Sequence, residues 1–187
     1  DILTSKERAY GPRHSYDRPA ITGVLLAGGQ SRRMFAGESG ATGKPARPGS
    51  LPEEHGEGGD KGLLDLGGRP MLAHVADRLG PQVGRLVINA NGDANRFAPF
   101  ELPVVADSIS GFVGPLAGVL AGMRWSLANA PAARWIATVS TDAPFLPADL
   151  VGRLMEPIVR GEGEIALAAS EGELHPVIGV WSVALAE

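Results

Sequence analysis

The chain of 187 residues carries 17 Lys and Arg against 21 Asp and Glu, a formal net charge of −4, with 44% hydrophobic and 20% charged residues. This is globular composition, enough for one domain burying roughly 70% of its unfolded surface, and its acidic balance argues against a general nucleic-acid or membrane-surface binder. The absence of cysteine removes disulfides, zinc–thiolate sites and thiol catalysis and fits a reducing, cytoplasmic location, and no apolar run is long enough to span a bilayer.

Residues 1–19 are polar, mixed in charge and aperiodic, and read as a disordered leader without a signal-peptide core. Residues 20–187 read as one domain. It begins with a buried strand expected over 21–26, whose apolar run Val24-Leu25-Leu26-Ala27 ends in Gly28-Gly29, with Arg32-Arg33 after it. Residues 35–59 are rich in Gly, Pro and Glu and nearly free of large apolar side chains, so they read as a mobile insertion.

A helix is expected over 70–79, with Leu72, Val75, Ala76 and Leu79 on one face, then strands over 85–90 and 104–105. A helix over 115–129 follows, with Leu116, Val119, Leu120 and Met123 on one face, then a strand over 135–140 and a helix over 147–160. Strands over 165–169 and 177–182 close the chain. Each helix opens on a proline, whose missing N–H would be unpaired in a first turn anyway. Strands alternating with helices imply an α/β fold, a mostly parallel sheet with helices on both faces.

In such sheets ligands sit beyond the carboxyl ends of the strands. After the first strand come the glycines and arginines; after the second, Asn89-Ala90-Asn91-Gly92-Asp93; after the third, Asp107; after the fourth, "STDAPFLP" with Asp142. Bare backbone and guanidinium groups suit phosphate oxygens, and carboxylates suit a divalent cation that shares those oxygens. Polyphosphate with a cation needs that combination. Singly, each feature has a plainer reading: a turn at Gly28-Gly29, solvated arginines, an Asx turn at Asp107, a helix-dipole partner in Asp149. Their common place at strand ends favours the functional one. Neither a Walker loop nor the dinucleotide fingerprint G-x-G-x-x-G is present, and the four histidines lack metal-ligand spacing. His175, before Pro176, is either a strand-entry residue or a substrate contact.

The succession "LLAGGQSRRM", "GGDKGLLDLGGRPML", "VINAN", "VVADSISGFVGPLAG" and "STDAPFLPADL" resembles the molybdenum cofactor guanylyltransferases from about Ile21 to Trp181, interrupted at 35–58. The resemblance implies a Rossmann-like three-layer nucleotidyltransferase fold and transfer of GMP from GTP to molybdopterin carrying molybdenum, with Mg2+ as cofactor. By the same resemblance, Leu26, Ala27, Gly28, Gly29, Asn89 and Asp107 line the nucleotide site. Lys61 contacts the phosphates, Arg33 assists, and Asp142 ligates Mg2+. The implied partners are GTP, a molybdopterin-type cofactor and molybdoenzyme maturation proteins. Relatives of this kind continue past the point matching Glu187, so the C-terminal part of the domain is expected to be missing. Three other readings stay open: a CTP-using molybdopterin cytidylyltransferase, a sugar-phosphate nucleotidyltransferase, and a nucleotide-binding module without turnover.

Overall fold

The computed structural model describes residues 16–27, 60–109 and 114–187. Residues 1–15 of the leader expected over 1–19 and the insertion at 35–59 lie outside the described residues, as do Gly28, Gly29, Arg32 and Arg33; Tyr16, at the end of that leader, is buried in the core.

Among the described residues, six strands form one sheet: β1 (Ile21–Leu26), β2 (Arg85–Asn89), β3 (Val104–Val105), β4 (Trp135–Ser140), β5 (Ile165–Ser170) and β6 (Glu173–Ser182). Their order across the sheet is β3-β2-β1-β4-β6-β5. The ladders β1–β2, β1–β4 and β2–β3 are parallel; β6 runs antiparallel to both β4 and β5. β1 is central, and all six of its residues are buried. That explains why Ile21–Leu26 does not alternate apolar with polar side chains; Thr22 is its one polar residue and is buried too.

Helices α1 (Met71–Leu79) and α3 (Leu150–Val159) cover one face, packing Leu72, Val75, Leu79, Val151 and Leu154 on Leu25, Ile88 and Val139. Helix α2 (Pro115–Asn129) covers the other, packing Val119 and Met123 on Val24, Val87 and Ile136. Alternate residues of β1 therefore serve opposite cores. Helix α2 lies very close to the sheet: a Cβ on Gly122 would stand 2.7 Å from Val24 Cγ2, and one on Gly118 would stand 2.9 Å from Leu26 Cδ2. No side chain fits at either position without displacement.

One buried polar residue ties the two ends of the α1–α3 face. Gln82, 1% exposed, donates from Nε2 to the carbonyls of Arg78 (2.9 Å) and Pro147 (3.0 Å) and accepts at Oε1 from Val151 N (2.9 Å). It thereby satisfies an N–H that the first turn of α3 cannot pair internally. Asp149, at the N-cap position, makes no capping bond and instead pairs with Arg153 at 2.8 Å.

The structure matches the expected elements except at two starts: α3 begins at Leu150, so Pro147, expected in its first turn, precedes the helix, and β6 begins earlier than expected. β6 starts at Glu173, not at 177, because Glu171 (φ 52°) and Gly172 (φ 83°) form a two-residue hairpin turn with β5. Such turns favour Asn-Gly or Asp-Gly, so Glu-Gly gave little signal. The ladder shifts register between Leu167 and Ala168, opposite Pro176, whose missing N–H a regular ladder would not accommodate.

Candidate functional site

Along the sheet the chain runs from β1 outward to β2 and β3, then returns to place β4 on the other side of β1. A ligand crevice forms at such a reversal, beyond the carboxyl ends of the two strands that flank it. Here those ends are Leu26-Ala27 and Ser140-Thr141-Asp142. A cleft lies there, lined by Leu26, Ala27, Asp60, Lys61, Ser140, Thr141 and Asp142.

Lys61 reaches the cleft on a 3-10 turn, Lys61–Leu63, closed by the bond from Leu64 N to Lys61 O. The turn can pack onto the end of β4 because residue 62 is glycine: a Cβ there would come within 2.8 Å of Thr141 Oγ1. Thr141 is itself buried, and its N–H donates to Leu26 O at 3.3 Å, so β1, β4 and the lysine turn meet at one point. Asp142 is exposed and accepts from Ser140 Oγ at 2.5 Å through Oδ1. Among the described residues, neither Lys61 Nζ nor Asp142 Oδ2 has a hydrogen-bond or ion-pair partner. These two opposite charges are therefore available to a ligand.

Beside this cleft, at the ends of β2 and β3, the polar groups bind one another. Asn89, 3% exposed and level with Leu26 in the β1–β2 ladder, donates to Val105 O (3.2 Å) and Asp107 Oδ1 (2.9 Å). Asn91 donates to Asp107 Oδ2 (2.7 Å) and accepts from Asp107 N (2.9 Å). The Asp107 carboxylate is thus fixed by two amides. A side chain at Gly118 would drive into Asn89 Oδ1, so the first turn of α2 is shaped to leave that asparagine in place.

The structure brings Leu26, Ala27, Lys61 and Asp142 into one cleft and sets Asn89 and Asp107 on the adjoining strand ends; Gly28, Gly29 and Arg33 fall outside the described residues. Sequence reasoning missed Asp60, Ser140 and Thr141 as cleft residues and Gly118 as the spacer. Asp60 was visible beside Lys61 in "DKG", whereas the role of Gly118 depends on a contact across the fold. His175 lies within β6, half-buried, and shares a 2.6 Å hydrogen bond with Ser170 Oγ. As for a cation, the described residues hold no cluster of three or more His, Cys, Asp or Glu. One free carboxylate oxygen beside a lysine still fits Mg2+, which takes one or two carboxylates and fills its shell with phosphate oxygens and water.

A family model described as the MobA-like NTP transferase domain matches residues 23–187. The chain belongs to this family. It is 45% identical over 176 residues to a molybdenum cofactor guanylyltransferase of Rhodopseudomonas palustris (strain HaA2), covering 94% of this chain and 72% of that relative. The fold resembles the crystal structure of molybdopterin-guanine dinucleotide biosynthesis protein A from Archaeoglobus fulgidus, with a TM-score of 0.60 at 17% identity over 89% of this chain and 69% of that one. It also resembles a Mycobacterium tuberculosis H37Rv protein solved in complex with manganese, with a TM-score of 0.56 at 18% identity over 89% of this chain and 73% of that one. At those identities the structures speak for the fold alone. Among the described residues, no helix is long and apolar enough to cross a membrane.

Proposed function

We propose that this nucleotidyltransferase-family chain transfers GMP from GTP to the phosphate of a molybdenum-bearing molybdopterin and releases pyrophosphate. The observation that carries the reading is the cleft at the β1/β4 reversal, where a lysine amine and one carboxylate oxygen of Asp142, both without a partner among the described residues, line a strand end, in a chain 45% identical to a relative named for this activity. An acceptor phosphate oxygen attacks the α-phosphorus of GTP, the bond to the β-phosphate oxygen breaks, and pyrophosphate leaves with that electron pair. The attacking oxygen is already anionic near neutral pH, so no strong base is required. The work left to the protein is positioning and charge stabilisation.

In this reading Lys61 offsets charge on the phosphates, and the backbone from Leu26 and Ala27 into Gly28 and Gly29 lets the nucleotide approach closely, with Arg33 as a second cation. Asn89 and Asp107 present a fixed polar edge to the base. Asp142 would hold Mg2+, which when bound supplies charge neutralisation to the phosphates. The manganese-bound structural neighbour accords with a divalent cation.

The test is calorimetric titration with GTP, CTP, ATP and UTP, with and without Mg2+, followed by pyrophosphate release in the presence of molybdopterin. GTP-selective, Mg2+-strengthened binding is expected. Selectivity for CTP would overturn the guanine assignment, and binding without pyrophosphate release would reduce the chain to a nucleotide-binding module.

A further inference from the structure

Arg96 lies outside the cleft, in the 3-10 segment Ala94–Phe100 that follows β2, yet each nitrogen of its guanidinium has a partner. Nε and Nη2 donate to Asp60 Oδ2 at 3.3 and 3.2 Å, Nη2 also donates to Asn91 O at 2.7 Å, and Nη1 donates to Asp93 O. Its Cζ sits 4.5 Å from the ring centre of Phe97, itself fully buried. A guanidinium with all three nitrogens engaged is not poised to bind phosphate. It behaves as a strut between the loop after β2 and Asp60.

Asp60 is the residue immediately before Lys61 and occupies the N-cap position of the turn that carries it. An aspartate there would ordinarily accept from the turn's own N–H groups. This one makes no such bond, and its side chain, 10% exposed, is committed to Arg96. On the other side of Lys61, Gly62 is seated against Thr141 at the end of β4. The lysine is therefore suspended between two anchors, one on the β2 loop and one on the β4 end, with its own amine unpaired among the described residues.

We infer that Arg96 is a positioning residue: through Asp60 it sets where Lys61 stands against the nucleotide phosphates. This rests on the nucleotidyltransferase reading of the cleft. Lysine could not replace it, because one ammonium cannot span Asp60 and the carbonyls of Asn91 and Asp93 as the planar fork does.

The experiment is a double-mutant cycle read by calorimetric GTP–Mg2+ affinity in the unsubstituted protein, Arg96→Ala, Lys61→Ala and the double variant. If Arg96 acts through Lys61, Arg96→Ala weakens binding by about tenfold alone, the scale of a lost charged hydrogen bond, and by less than about twofold once Lys61 is gone. Equal losses in both backgrounds would overturn the inference, since a merely structural role would not depend on Lys61. Should Arg96→Ala fail to fold, Asp60→Asn, which keeps the volume and removes the ion pair, runs the same cycle with the same expectation. A protein that binds no nucleotide would sink the reading of the cleft, and amide exchange at residues 61–63 then decides the strut. Either variant should speed that exchange by about tenfold if the tie is worth a charged hydrogen bond; unchanged exchange would overturn it.

Discussion

The carboxyl edge of the sheet has two halves built on opposite terms. At the ends of β2 and β3, Asn89, Asn91 and Asp107 spend their hydrogen-bonding capacity on one another. At the ends of β1 and β4, Lys61 Nζ and one oxygen of Asp142 have no partner among the described residues, although the backbone around them is anchored. The first half is organised before any ligand arrives. The second is held in place by its main chain while its charges stay available. A side chain that binds its neighbours adds to stability, and one left free contributes only when a substrate is present.

That contrast is broken first at Lys61. Lys61→Ala should slow turnover by at least ~10²-fold, the scale of removing one donor that acts on developing charge, while thermal unfolding stays within ~0.5 kcal/mol of the parent, as for a side chain without partners. Unchanged turnover would take Lys61 out of the chemistry. Gly118→Ala should affect both halves, since its Cβ would strike Asn89 and Leu26. About 1–3 kcal/mol of stability should be lost to overpacking, and GTP binding should weaken with it. A variant of parental stability would show that α2 moves away at little cost.

A matched pair sharpens the comparison. Asp107→Ala should cost about 1–2 kcal/mol, because the buried Asn89 amide and Asn91 both lose an acceptor. Asp142→Ala should cost within ~0.5 kcal/mol, because its carboxylate is exposed and holds one hydroxyl, yet it should abolish the Mg2+ response of nucleotide binding. Equal stability losses in denaturant titration would erase the difference between the halves.

The smallest expected effect lies at the far end of the molecule. Burial pushes the Tyr16 phenol above its usual range, with Arg18 opposing, and its hydroxyl donates to Gln82 O at 2.9 Å. A raised pKa in the folded state means that the stability this group contributes is complete below the unfolded value of about 10 and falls as pH rises through the folded one. Tyr16→Phe should cost about 1 kcal/mol at neutral pH and flatten that alkaline decline. A parallel decline in both proteins would refute the assignment.

Much of this architecture could be read from residue order alone. β1, β3, β4 and α2 fall where apolar runs and an initial proline place them: β1 is buried throughout, β4 at its four central residues, and the start of α2 is marked by Pro115. Asp107 and Asp142 were also visible just past a strand and Asn89 at the end of one, whereas Lys61 was legible through the resemblance. What could not be read depends on contacts between distant positions. The β5–β6 turn uses Glu171 in a left-handed conformation that composition does not signal. The strut from Arg96 spans 36 residues to Asp60, and Gly118 matters through a strand end that precedes it by 29. Periodicity reports which face is buried, and it is silent on what a side chain meets there.

Gln82 has a consequence for how the protein comes apart. The Val151 N–H, in the first turn of α3, donates to the Gln82 side chain 69 residues earlier, and the Nε2 of that same glutamine donates to Pro147 O. Helix α3 therefore cannot fray from its N-terminus without uncovering a buried glutamine near the end of α1. Hydrogen exchange at Val151 should proceed through global opening, at the slow rate of the sheet's central strands, so that the segment ahead of β5 unfolds together with the first half of the domain as one cooperative unit.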